Sequence, residues 1–285
     1  MRPFGFFLTF LILGQFSACR SQPLPTEDEG PLPSLALAFK SIEADDPAHL
    51  RLFFTLETEN PVPAGDRAKI ASWRVEIDGL DAGAAFSLDY PQGEFPPGNS
   101  TPLRLDMDIE ALIAKGLAPK DDYSITLITE LVYTQPATQP VRLVARAYAA
   151  FPGVLPPIFN IIEIAILQAE LINTRFRVGL RIDNPNPFPL ELSAFTYRLY
   201  GNGMFWADGF ERNVLTVGGR SSLSGNIFLV MNFIDMDRHL LDQIIRLEDV
   251  FYRFAGNIMV STGVDYLPTF SDGFNLSGFS RVLPR

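Results

Sequence analysis

The chain has 285 residues, 47% of them hydrophobic and 20% charged, a balance that supports a packed core and excludes a largely disordered protein. Its net charge of −10 argues against nucleic acid and anionic surfaces as partners, because both are bound through basic patches. One cysteine and two histidines exclude an intrachain disulfide and a Cys/His zinc site.

The first residues read as a targeting segment. Arg2 supplies a positive charge, and Phe4 to Phe16 has the length of a signal-sequence apolar stretch, too short to span a bilayer. It runs into Phe16-Ser17-Ala18-Cys19, which resembles a bacterial lipobox. The resemblance implies a lipoprotein signal peptide over 1–18 and a membrane anchor on acylated Cys19. Residues 19–34 then form a proline-rich, acidic tether. Arg20 follows the cysteine where inner-membrane retention would call for an acidic residue, which implies the outer membrane, facing the periplasm.

Leu35 to Phe39 opens the folded part as a strand. Leu50, Leu52, Phe54 and Leu56 then alternate with Arg51, Thr55 and Glu57, the period of a half-buried strand, and only Phe53 breaks it. Asn60-Pro61-Val62-Pro63 stops that strand, since proline gives no donor to a ladder. Trp73, Val75 and Ile77 lead into the turn dipeptide Asp78-Gly79. Asp106-Met107-Asp108 precedes a short helical pattern of Ile109, Leu112 and Ile113 closed by Gly116. Tyr123, Ile125 and Leu127 resume the alternation, and Thr134 to Tyr148 reads as a longer tail.

These landmarks recur in order. Ile158 to Ile172 reads as an opening strand. Phe176, Val178, Leu180 and Ile182 repeat the key strand, and Asn184-Pro185-Asn186-Pro187 stops it. Phe195, Tyr197 and Leu199 match Trp73, Val75 and Ile77, with a turn at Gly201-Asn202-Gly203. Asp235-Met236-Asp237 introduces a second helical pattern at Leu240, Leu241, Ile244 and Ile245. Such ordered recurrence predicts an internal duplication: a first copy over 35–150, a linker over 151–157, and a second copy over 158–285.

The stretch from Thr174 to Gly203, with its alternating strand, Asn184-Pro185-Asn186 turn and following Gly209, resembles the type 2 late embryogenesis abundant family, also called the WHy (water stress and hypersensitive response) domain. The resemblance covers 155–285 well and 33–150 more loosely, with Val62 standing where the pattern has Asn. It implies tandem immunoglobulin- or fibronectin-like antiparallel β-sandwiches. That agrees with the mainly β pattern of short strands and turns, with one short α-helix per copy.

No nucleophile elbow, phosphate loop or dinucleotide fingerprint is present, so the expectation is a non-enzymatic protein without a cofactor. The two Asp-Met-Asp motifs offer paired carboxylates to a cation but sit where helix N-caps belong, and the cap is the expected role. Asn186 could present its amide to a partner; side-chain bonding within a turn is the expected role. Phe205, Trp206, Phe210, Phe270, Phe274 and Phe279 are candidates for an apolar ligand or partner patch, with core packing as the alternative. The expected function is a lipid-anchored binding or structural module of the cell envelope, stress-linked by resemblance. It would meet the membrane through Cys19 and an envelope protein as partner. The alternative is a carrier holding a lipid or other apolar ligand in a groove of the sandwiches.

Overall fold

The computed structural model describes residues 34–58, 66–94, 100–135, 139–168, 173–232, 249–281 and 283–284. The signal segment, Cys19, most of the tether, Asn60-Pro61-Val62-Pro63, the second Asp-Met-Asp and its helical pattern lie outside the described residues.

Alternating apolar side chains place nearly every described element in a strand. The first half contains β1 (Leu35–Ala44), β2 (His49–Thr58), β3 (Arg67–Ile77), β4 (Leu80–Asp81), β5 (Phe86–Asp89), β6 (Thr101–Asp108), α1 (Ile109–Ala114), β7 (Asp122–Thr134) and β8 (Val141–Pro152). They form two sheets, in the orders β1-β2-β6-β5 and β4-β3-β7-β8. Between the sheets lies one apolar core, in which Leu52, Leu105, Ile125, Leu127 and Leu131 have no solvent exposure.

The second half contains β9 (Ile158–Gln168), β10 (Asn173–Asp183), β11 (Leu190–Gly201), β12 (Met204–Glu211), β13 (Leu215–Val217), β14 (Ser222–Asn232), β15 (Asp249–Val264), β16 (Leu267–Arg281) and β17 (Leu283–Pro284). Its sheets run β14-β10-β9-β17 and β12-β11-β15-β16, with β13 paired to β11. A second core forms between them around Phe176, Val178, Leu199, Phe254 and Val260. The chain is mainly β, in sandwiches that are antiparallel apart from the short β9–β17 pair, with minimal helix. Among the described residues no helix is long and apolar enough to cross a membrane.

The strand orders superpose: β1-β2-β6 repeats as β9-β10-β14, and β4-β3-β7-β8 repeats as β12-β11-β15-β16. The predicted faces hold. Leu50, Leu52, Phe54 and Leu56 are buried, as are Phe176, Val178, Leu180 and Ile182, while Phe53 is half-buried on the outer side of β2.

Three expectations change. First, the hairpin turns fix the register between copies. Asp78-Gly79 has φ of 50° and 81°, and Asn202-Gly203 has 48° and 82°, both the double positive-φ geometry of a two-residue hairpin turn. Superposing them matches Ile77 to Gly201, Val75 to Leu199 and Trp73 to Tyr197, two residues from the alignment read off the sequence. The shift is even, so each side chain keeps its face. Second, Thr134 to Tyr148 is no extra tail, because β8 corresponds to β16. Third, the linker is shorter than 151–157. β8 continues to Pro152, and Phe151 is buried, its ring stacked on Tyr123 at 5.7 Å.

Candidate functional site

Asn184 and Asn186 sit at the joint between the sandwiches rather than on a surface. Both are buried. The Asn184 amide nitrogen donates to the carbonyls of Phe188, Val217 and Gly218 at 2.8–3.1 Å, while its oxygen accepts from the Asn186 backbone and side chain. Asn186 closes a two-way pairing with the linker: Leu155 N–H donates to its oxygen, and its amide nitrogen donates to Leu155 O, both at 2.8 Å. Pro185 leaves the chain no ladder donor here, so the two side chains supply the bonds a strand would have made. Arg220 spans the joint, bonding Pro185 O on one side and the Asp121 carboxylate on the other. Tyr266 donates to Pro152 O at 2.5 Å and packs edge-on against Phe151. Burial, above all, pushes the Tyr266 phenol far above its ordinary value.

The six aromatic candidates do not share a face. Trp206 is buried, stacked on Phe176 at 5.4 Å, because a bulge between Leu199 and Tyr200 in the β11–β12 ladder turns it inward. Phe270 and Phe274 are core residues, and the Phe274 ring lies 4.8–5.3 Å from Phe159, Phe195 and Phe254. Phe205, Phe210 and Phe279 are exposed but separate: Phe205 meets Tyr200, Phe210 lies under Arg212, and Phe279 meets Phe251. A period of two decides which aromatics face inward; abundance does not.

The acidic candidates behave as local structure. Asp108 caps α1, accepting from Ala111 N–H at 2.9 Å. Asp106 pairs with Arg104 at 3.1 Å. Nearby, His49 lies 3.0 Å from the Asp46 carboxylate, and that hydrogen bond raises its pKa. Among the described residues no group of three or more His, Cys, Asp or Glu side chains could hold a metal.

What the sequence did not disclose is an apolar cleft of about 340 Å³ between the two sheets of the second sandwich. Leu180, Ile182 and Phe195 make its floor, β14 from Leu223 to Phe228 makes one wall, and Glu211, Asn213 and Leu215 make the other. Two differences between the copies create it. In the first copy β5 lies along β6, pairing Phe86 with Met107 and Leu88 with Leu105, and Phe86 is buried. In the second copy the corresponding short strand, β13, pairs with β11 in the opposite sheet, which leaves β14 as the sheet edge among the described residues. In addition, the Leu180–Gly225 pair stands where the first copy has Leu56–Thr101. A Cβ at Gly225 would meet no atom within 4 Å. Glu211 is the one ionisable side chain lining the cleft. The volume lies at the lower end of the range of small-molecule pockets.

No protein-family model and no curated protein matches the chain. Solved structures resemble it only distantly. A protein from Archaeoglobus fulgidus is 18% identical over 45% of this chain and 97% of its own, with a TM-score of 0.30. The periplasmic chaperone SfaE is 12% identical over 88% and 100%, with a TM-score of 0.24. A calcium-binding mutant of Bacteroides uniformis beta-glucuronidase 2 is 10% identical over 81% of this chain and 26% of that enzyme, with a TM-score of 0.24.

Proposed function

We propose that the protein is a non-enzymatic binding module of the cell envelope, anchored through acylated Cys19 to the outer membrane, and that it holds an apolar part of its ligand in the cleft of the second sandwich. The observation that carries this reading is the cleft: about 340 Å³, apolar on its floor, and lying beside β14, whose counterpart β6 in the sister copy is flanked by β5. It also favours a binding role over a purely structural one, since a structural module has no use for an unfilled gap in its core. The anchor rests on the lipobox-like Phe16-Ser17-Ala18-Cys19, and the stress link on the WHy resemblance.

Gly225→Phe is the discriminating variant, because its ring enters open space in an extended backbone. An apolar reporter dye such as 1-N-phenylnaphthylamine should bind the wild-type protein saturably and the variant at least about tenfold more weakly, a difference of about 1.4 kcal/mol. Equal binding by the two proteins would remove the cleft from the proposal. For the anchor, radiolabelled palmitate should label the wild-type chain and not Cys19→Ala; equal labelling would end the lipoprotein reading.

A further inference from the structure

We infer that the occupant of the cleft is an extended peptide segment of a partner protein, added as a strand along the edge of β14 that is unpaired among the described residues. This rests on the cleft being a binding site and names the chemistry of what it binds.

The edge itself makes the first argument. β14 pairs with β10 through all eleven of its residues, and among the described residues no strand is hydrogen-bonded to its other side. A sheet edge exposes a row of unpaired N–H and C=O groups, and monomeric proteins guard such edges with charged residues, proline or a covering element. β14 reads Ser-Leu-Ser-Gly-Asn-Ile-Phe-Leu-Val-Met-Asn, with no charge and no proline. Its outward side chains Phe228 and Val230 are 63% and 60% exposed. Among the described residues this apolar edge has none of those guards.

The shape of the cleft makes the second. It follows β14 over six consecutive residues, about 20 Å of strand at 3.3 Å per residue. An acyl chain would fill the floor and leave the β14 backbone groups without partners. A strand does both, hydrogen-bonding the edge while every second side chain drops onto the floor.

The sister copy shows such an occupant in place. β5 lies antiparallel along β6 as Phe86-Ser87-Leu88-Asp89: Phe86 goes into the core, Ser87 and Asp89 face out, and Asp89 reaches Arg104 at 3.3 Å. The partner segment therefore alternates apolar residues inward with polar residues outward, as β5 does.

The probe is a labelled synthetic peptide with the sequence of residues 84–91, Ala-Ala-Phe-Ser-Leu-Asp-Tyr-Pro, titrated into the full-length protein and read by fluorescence anisotropy. Saturable binding is expected, weakened at least about tenfold by Gly225→Phe and as strongly by N-methylation of alternate peptide amides. The N-methylated peptide tests backbone pairing even if Gly225→Phe misfolds. Binding that is indifferent to N-methylation, or no binding at millimolar peptide, overturns the inference. If the apolar dye binds in a Gly225-dependent way and the peptide does not, the cleft remains a site for small apolar ligands and only the strand falls. If neither binds, the proposed function falls with it.

Discussion

The two sandwiches share a strand order yet differ in which sheet their short strand joins. In the first, β5 pads the edge of β6 and Thr101 fills the space opposite Leu56. In the second, the matching short strand has joined the other sheet, and Gly225 leaves the space opposite Leu180 open. At the hairpin the balance reverses: Ile77 occupies the first copy's turn, while Gly201 yields the same place to the Trp206 ring. The lesson is that a duplicated sandwich keeps its central strands, because their alternating faces define the core, and diverges at edges and turns. There one side chain more or less decides whether the interior is filled from within or left accessible.

The sharpest way to break this comparison is to give the second copy the first copy's residue at the turn. A Cβ at Gly201 would come within 1.9 Å of the Trp206 ring. Gly201→Ile should therefore expel Trp206 from the core and cost about 3 kcal/mol or more in urea unfolding. A near-neutral result would show that the two turns are not equivalent.

Asn186→Val, which imports the first copy's Val62, comes next. It strips both Leu155 bonds and leaves buried polar groups unpaired, for an expected loss of about 2–3 kcal/mol. Small-angle scattering should also show a looser joint. Unchanged stability would mean that the Asn-Pro-Asn turn is dispensable to the linker.

A smaller effect should appear in alkali and involve both copies. Tyr133 and Tyr197 are each pushed up to about 12, chiefly by burial, Tyr133 also by its bond to the buried Asp66 carboxylate and Tyr197 by Glu211. Because the folded values lie above the unfolded value near 10, the stability they contribute is complete below pH 10 and is lost as pH rises from there through 12. Urea midpoints should fall between pH 10 and 11, and less steeply in Tyr133→Phe and Tyr197→Phe than in the wild type. A slope that neither variant changes would place the alkaline transition elsewhere. Smallest of all, Asp108→Ala should cost about 1 kcal/mol by removing the α1 cap; a fully stable variant would refute the capping role.

Periodicity made the central strands legible. Leu50 to Leu56, with Phe53 the one exception, and Phe176 to Ile182 alternate so that burial of one face keeps charge out of the core. The turns at Asp78-Gly79 and Asn202-Gly203, the cap at Asp108 and the recurrence of landmarks were also local features, set by backbone and side-chain chemistry within a few residues. Partner choice between sheets is not local. Nothing in Phe86-Ser87-Leu88-Asp89 or Leu215-Thr216-Val217 states which sheet each will join, because that depends on which edge the fold leaves free. For the same reason the aromatic residues divided between core and surface by strand register and by one bulge at Trp206. The cleft arises where, among the described residues, no strand flanks β14 and Gly225 brings no side chain, and tertiary structure alone could reveal it: sequence records what each residue brings, and packing decides what space remains.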